Sequence, residues 1–197
     1  DEQRMFKESV VKFAREELRP GAQECELKAE FHWEAWKKMG EFGLLGLHLP
    51  EELGGSDADV MTAVLAGEAL GEAGVDGGLT LSYGAHTYLC TDTIFQHGTD
   101  EQKQKYVPKL ARGEWVGCMG LTEPGAGSDA GALRTRAVKK GDRWVLNGSK
   151  QWITSGDQSG VTVVWAKTDP DQGPKGITCF LVEKDAVGRL LASVLFP

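Results

Sequence analysis

The sequence predicts an α+β fold: an all-α N-terminal helical domain followed by an antiparallel β-barrel or sandwich-like domain. Two observations carry that expectation. Apolar residues recur at helical spacing as far as residue 113, and from Trp115 onward the pattern changes to β-branched and aromatic runs separated by glycine-containing turns. The domains are therefore expected at 1–114 and 115–197. Composition agrees with a folded chain, because 41% of the 197 residues are hydrophobic and 26% are charged.

In the first helix Phe6, Val10, Phe13, Ala14 and Leu18 share helical spacing, and Pro20 stops the run. A second helix is expected to carry Trp33, Trp36 and Met39 on one face. The stretch from Pro50 to Asp57 reads as a loop, after which Asp57 or Asp59 can cap a third helix. Its expected stripe is Val60, Ala63, Val64, Gly67, Leu70 and Gly71, with Ala63, Gly67 and Gly71 spaced for close approach by a neighbouring helix. A fourth helix is expected around residues 85–96, with His86 as a cap or core residue rather than a base. Thr99 and Gln102 form a capping box for the fifth. In the second domain, 134–138 and 143–146 flank Lys139-Lys140-Gly141-Asp142 as a hairpin, Asn147-Gly148 marks a turn, and 161–166 and 177–182 read as strands.

Several classes are disfavoured. With 22 Lys+Arg against 29 Asp+Glu the formal charge is −7, a poor match for phosphate backbones, so no nucleic acid is expected. No run of about 18 apolar residues provides a membrane span, and no secretory pattern opens the sequence. Cys25, Cys90, Cys118 and Cys179 stand singly and read as small buried hydrophobes, and neither they nor the four histidines have metal-ligand spacing.

Chemistry concentrates in two segments. Leu121-Thr122-Glu123-Pro124-Gly125-Ala126-Gly127-Ser128-Asp129-Ala130-Gly131 follows an expected strand, and its glycines let backbone N–H groups converge on an anion. Taken alone, its composition fits a glycine-rich sheet corner at least as well. Gly125-x-Gly127-x-x-Ala130 is not a dinucleotide fingerprint, because a turn follows too soon for a crossover helix. No nucleophile elbow is present either. In Gln151-Trp152-Ile153-Thr154-Ser155-Gly156, a strand would put Trp152 and Thr154 on one face. That aromatic wall beside a hydroxyl suits a flat heteroaromatic ring, although taken alone the stretch reads more readily as an ordinary core Trp beside a strand-end Thr.

Together with Asn147-Gly148-x-Lys150-x-Trp152-Ile153-Thr154, the 121–129 segment resembles the flavin-binding signature of the acyl-CoA dehydrogenase family. Further resemblance lies in Gly43-Leu44-Leu45-Gly46 with Pro50-Glu51-Glu52-Leu53-Gly54-Gly55, in Gln102 to Pro108, and in Lys175 to Lys184, collinear along the chain. The resemblance implies FAD as cofactor and α,β-dehydrogenation of an acyl-CoA thioester. It implies that Met119, Leu121, Thr122, Gly127 and Ser128 line the FAD, with Leu121 and Thr122 near the pyrimidine end and Ser128 near both the pyrophosphate and the acyl-CoA. Trp152 and Ile153 would pack at the isoalloxazine, and Thr154 would hydrogen-bond near its reactive nitrogen.

The family's catalytic glutamate belongs to a C-terminal helical domain that this sequence does not include, so no catalytic residue is assigned, and Glu123 is read as a loop residue. The segment Gly188-Arg189-Leu190-Leu191-Ala192-Ser193-Val194-Leu195 departs from the family's usual continuation. The resemblance further implies an electron-transferring flavoprotein as acceptor, a homotetramer for the full-length protein, and a bacterial cytoplasmic or mitochondrial matrix location. Ser82-Tyr83-Gly84-Ala85-His86 resembles isovaleryl-type members. Two alternatives are an oxidase that passes electrons to oxygen and a non-catalytic flavin- or acyl-CoA-binding or assembly module.

Overall fold

The computed structural model describes residues 2–186, so the 188–195 segment lies outside the described residues. The chain divides into two compact units, one ending at Val116 and the next beginning at Gly117.

In the first unit α1 (Glu2–Phe13) runs into a π-helical turn, Ala14–Leu18, that ends before Pro20. The face expected from periodicity is the one buried, with Val10, Ala14 and Leu18 fully enclosed. A short α2 (Ala22–Lys28) buries no residue, which is why hydrophobic periodicity gave no sign of it. In α3 (Trp33–Glu41) Trp36 and Met39 are buried as expected. Trp33 is not: it is 51% exposed and rests edge-on against Phe31 instead. Trp36 is fixed at both ends, its Nε1 donating to the Gly113 carbonyl at 3.2 Å and its ring lying edge-on to His86. Gly40 allows this closeness, since a Cβ there would lie 2.3 Å from the Arg112 carbonyl oxygen.

Asp59 caps α4 (Val60–Ala73) by accepting from the Thr62 amide at 2.7 Å. The buried face of α4 shares only Ala63 and Leu70 with the expected stripe. Ala63, Ala66, Ala69, Leu70 and Ala73 face inward, Val60 and Val64 face solvent, and nothing lies within 4 Å of a Cβ placed at Gly67 or Gly71. Alanines, not glycines, provide the close approach, and the helix packed there is α1. Next come α5 (Gly77–Gly84), a π-helical turn Ala85–Thr91 and α6 (Asp92–His97), continuous from residue 77 to 97. The helical start was expected too late, because Asp76 caps α5 through Leu79 N while Gly77 and Gly78 look like a breaker. His86 is a core residue, wholly buried with Nε2 3.1 Å from the Leu110 carbonyl, and burial holds its imidazole neutral with the pKa lowered to about 3.

Both bonds of the capping box are present at the start of α7 (Asp100–Ala111), at 2.9 and 3.3 Å. Thr99→Ala should lower unfolding free energy by about 1 kcal/mol. Urea denaturation checks this, and a midpoint equal to the parent's would mean that the box contributes nothing.

The second unit is a five-stranded sheet of β1 (Val116–Gly120), β2 (Arg136–Lys140), β3 (Arg143–Asn147), β4 (Ser159–Lys167) and β5 (Ile177–Glu183). Its order is β1-β4-β2-β3, with β5 also paired to β4. The β2–β3 hairpin and the β4–β5 pair are antiparallel. The sheet is nonetheless mixed, because β2 meets β4 in parallel where Arg136 lies opposite Lys167. Ser159, Val161, Val163 and Ala166 of β4 face the interior. Cys90 and Cys118 are buried as expected, whereas Cys25 and Cys179 are only half-buried. No described helix is long and apolar enough to cross a membrane, and no group of His, Cys, Asp and Glu that could hold a metal occurs among the described residues.

Candidate functional site

Strand β1, with Met119 half-buried near its end, delivers the chain into the 121–128 loop. The loop opens with a tight turn in which Glu123 and Ala126 exchange both backbone hydrogen bonds, at 3.0 and 3.1 Å. That turn points the Glu123 side chain inward, where it is 7% exposed. Its carboxylate accepts from the Arg134 amide at 2.6 Å, the Thr135 amide at 2.9 Å, Thr135 Oγ1 at 2.5 Å and Lys150 Nζ at 2.8 Å. Lys150 is buried as well, and its Nζ also donates to the Leu121 carbonyl at 2.9 Å. Beside it the Gln151 amide donates to the Thr122 carbonyl at 2.9 Å. Two segments about thirty residues apart in sequence are thus joined through one ion pair and two backbone carbonyls.

Burial alone would raise the Glu123 carboxyl, but the bonds from Lys150, Thr135 and the two amides outweigh it and hold the pKa at about 2. Lys150 moves downward, because burial penalises its ammonium more than Glu123 stabilises it. In an unfolded chain a glutamate titrates at about 4.3. The carboxylate's contribution to stability is therefore complete above that value and is lost as pH falls toward about 2. Acid unfolding should show a stability loss between those limits that Glu123→Gln removes, and an unchanged acid limb in that variant would contradict the assignment.

From Lys150 the chain enters an irregular loop rather than a strand. Trp152 has φ 61° and Ser155 φ 58°, both left-handed, and the Gly156 amide closes a turn onto the Ile153 carbonyl at 3.1 Å. Trp152 and Thr154 therefore do not share a strand face; the positive φ breaks the pleat on which that expectation rested. Ile153 is buried beneath the loop, Thr154 is half-buried, and Trp152 stands 60% exposed. A left-handed conformation at a bulky aromatic residue costs on the order of 1 kcal/mol and persists where surrounding structure imposes it.

Of the residues singled out in the sequence, Leu121 and Thr122 are brought against Lys150 and Gln151, while Gly127 and Ser128 lie exposed further along the first loop. Among the described residues, the Thr122 amide and the hydroxyls of Thr122, Ser128 and Thr154 have no protein partner. Neither Gly125 nor Gly127 has a left-handed φ, and a Cβ at either would meet nothing within 4 Å. The fold itself does not require glycine there; bare backbone facing outward is what an incoming anionic group needs. Unpaired donors, an exposed indole and bare glycine backbone fit the polar edge, flat face and phosphates of a flavin dinucleotide. The Glu123–Lys150 pair is the element that sequence reasoning missed. Both residues stand inside the quoted motifs, but nothing in their spacing shows that they meet.

Residues 1–114 match the family model described as acyl-CoA dehydrogenase, N-terminal domain, and residues 118–193 match the one described as acyl-CoA dehydrogenase, middle domain. The chain is 44% identical over 197 residues to an isovaleryl-CoA dehydrogenase, mitochondrial, of Solanum tuberosum, covering 99% of this chain and 47% of the relative. It is 44% identical over 193 residues to a short-chain specific acyl-CoA dehydrogenase of Clostridium acetobutylicum, covering 98% and 50%. The chain thus spans about half the length of the curated relatives it matches. Among solved structures it resembles an acyl-CoA dehydrogenase complexed with FAD from Bacillus anthracis, with a TM-score of 0.86, 38% identity, and coverage of 95% of this chain and 31% of that one.

Proposed function

The chain belongs to the acyl-CoA dehydrogenase family, and from that membership we propose that it carries the FAD-binding segments of an enzyme that dehydrogenates acyl-CoA thioesters between their α and β carbons. The observation that carries this reading is the joined pair of loops, 121–128 and 150–154, which present unpaired donors and one exposed indole. The functional parts are taken as residues 1–114 and 115–197.

When bound, FAD supplies the hydride acceptor, and the protein supplies orientation and electrostatics. Leu121 and Thr122 would hold the pyrimidine edge, with Met119 beside them. Gly127 and Ser128 would receive the pyrophosphate, and Ser128 would also face the acyl-CoA. Trp152 over Ile153 would cover the ring face, while the Thr154 hydroxyl would donate at the reactive nitrogen, where negative charge develops. Glu123 is not the base that removes the α-proton. Its carboxylate already accepts four hydrogen bonds and, with a pKa of about 2, has little tendency to take a proton. Proton abstraction is assigned to a carboxylate outside these residues.

An acyl-CoA substrate, an electron-transferring flavoprotein as acceptor and a homotetrameric full-length protein follow from the same reading, as does a bacterial cytoplasmic or mitochondrial matrix location. Relatives named for isovaleryl and for short-chain substrates are equally similar to the chain. The test is the full-length protein purified and exposed to acyl-CoA. Yellow colour that bleaches with substrate supports the proposal, and absence of flavin absorbance overturns it. Peroxide release without reduction of an electron-transferring flavoprotein would assign an oxidase instead.

A further inference from the structure

We propose that Lys150 is a positioning residue whose ammonium, seated on Glu123, polarises the Leu121–Thr122 peptide and so strengthens the Thr122 amide as a donor toward the electron-accepting ring. The inference rests on the reading above that Thr122 faces a flavin, and it goes further by giving the buried pair an electronic role. Two observations, linked by one principle, support it. Lys150 Nζ lies 2.9 Å from the Leu121 carbonyl oxygen, and that oxygen belongs to the same planar peptide group as the Thr122 N–H. A cation on the oxygen withdraws electron density from the nitrogen, and hydrogen bonds in such a chain strengthen one another. The Thr122 amide has no acceptor among the described residues, so its strengthened donor is available to an outside group.

The surroundings make this arrangement specific. Lys150 and Glu123 are 8% and 7% exposed, so water screens the ammonium little. Glu123 keeps the charge in place while the Arg134 and Thr135 amides and Thr135 Oγ1 occupy the carboxylate's other lone pairs. The Gln151 amide fixes the next peptide by donating to the Thr122 carbonyl, so the Thr122 N–H is held on both sides by the 150–151 backbone and side chain. An electron-accepting ring that gains negative charge on reduction is stabilised by a stronger donor, which favours the reduced form.

The experiment compares the parent protein isolated with its flavin, Lys150→Met, and the double variant Glu123→Gln/Lys150→Met. The double variant removes both charges, so no lone carboxylate is left buried and folding is preserved. Two quantities are measured: the flavin midpoint potential, and the amide proton shift of Thr122 in the flavin-free protein. The inference expects the double variant to stay folded yet to favour the oxidised flavin about tenfold more, a fall of about 30 mV for a two-electron couple. It also expects the Thr122 amide proton to move upfield in both variants. A double variant with parental potential and parental Thr122 shift would make the pair a purely structural clamp and overturn the inference. If no variant or parent holds flavin, the functional reading above fails, while the Thr122 shift still decides whether Lys150 polarises that peptide.

Discussion

Glu123→Ala is expected to cost about 3–5 kcal/mol of unfolding free energy, the largest effect on stability anticipated in this chain, because it leaves a buried ammonium without its counter-ion. The cost arises from more than the ion pair. The Arg134 and Thr135 amides and Thr135 Oγ1 all lose the acceptor that now satisfies them, and a buried donor without a partner is penalised by its full desolvation. Thr135 also has little room to move into the gap, since Gly148 packs so near it that even an added Cβ there would clash with its side chain and Cα. Equilibrium denaturation of the parent, Glu123→Ala and Glu123→Gln measures it. Glu123→Gln should be the milder change because it keeps the acceptor oxygen. A loss below about 1 kcal/mol for Glu123→Ala would place this pair with exposed ion pairs, whose median contribution is about 0–1 kcal/mol.

The second large effect concerns binding without folding. Trp152→Ala should leave the flavin-free chain about as stable as the parent, since the indole is 60% exposed and its left-handed backbone, φ 61°, carries strain that a smaller side chain tolerates no worse. Flavin retention should nevertheless fall by about 30-fold, because covering one aromatic face is worth on the order of 2 kcal/mol. Thr154→Ala should behave differently, keeping the flavin but slowing its reduction, because one neutral hydrogen bond contributes only about 0.5–1.5 kcal/mol to retention and acts most where charge develops. Flavin absorbance after gel filtration, thermal unfolding and stopped-flow reduction separate the two variants. A Trp152→Ala protein that unfolds well below the parent would show that the indole supports the fold and not the ligand.

How much of this could be read from residues alone depends on whether the signal was local. The capping box at Thr99 and Gln102 was legible because it is a four-residue pattern with one geometric solution. The β2–β3 hairpin was legible for the same reason, with its turn residues lying between two alternating runs. The buried face of α4 was not. Val60 and Val64 outrank alanine in hydrophobicity, yet α1 packs where side chains are small, so steric fit overrode the apolar pattern. The site divides likewise. The two loops stood out by composition and by resemblance, but the Trp152 conformation and the Glu123–Lys150 contact depend on long-range closure that no window of sequence contains.

The bare backbone at Gly125 and Gly127 has a consequence for how variants of this chain would be sorted. An alanine there adds a Cβ that meets nothing within 4 Å beyond its own chain neighbours, so expression yield, solubility and melting temperature should pass it as neutral. Ligand capture would reject it, because the added side chain occupies the approach to the loop's N–H groups. In a library scored twice, once for abundance and once for cofactor loading, these two positions would stand apart from the buried core, where both scores fall together. A screen that reads abundance alone would record the loop as tolerant and would be blind to the binding role proposed for it.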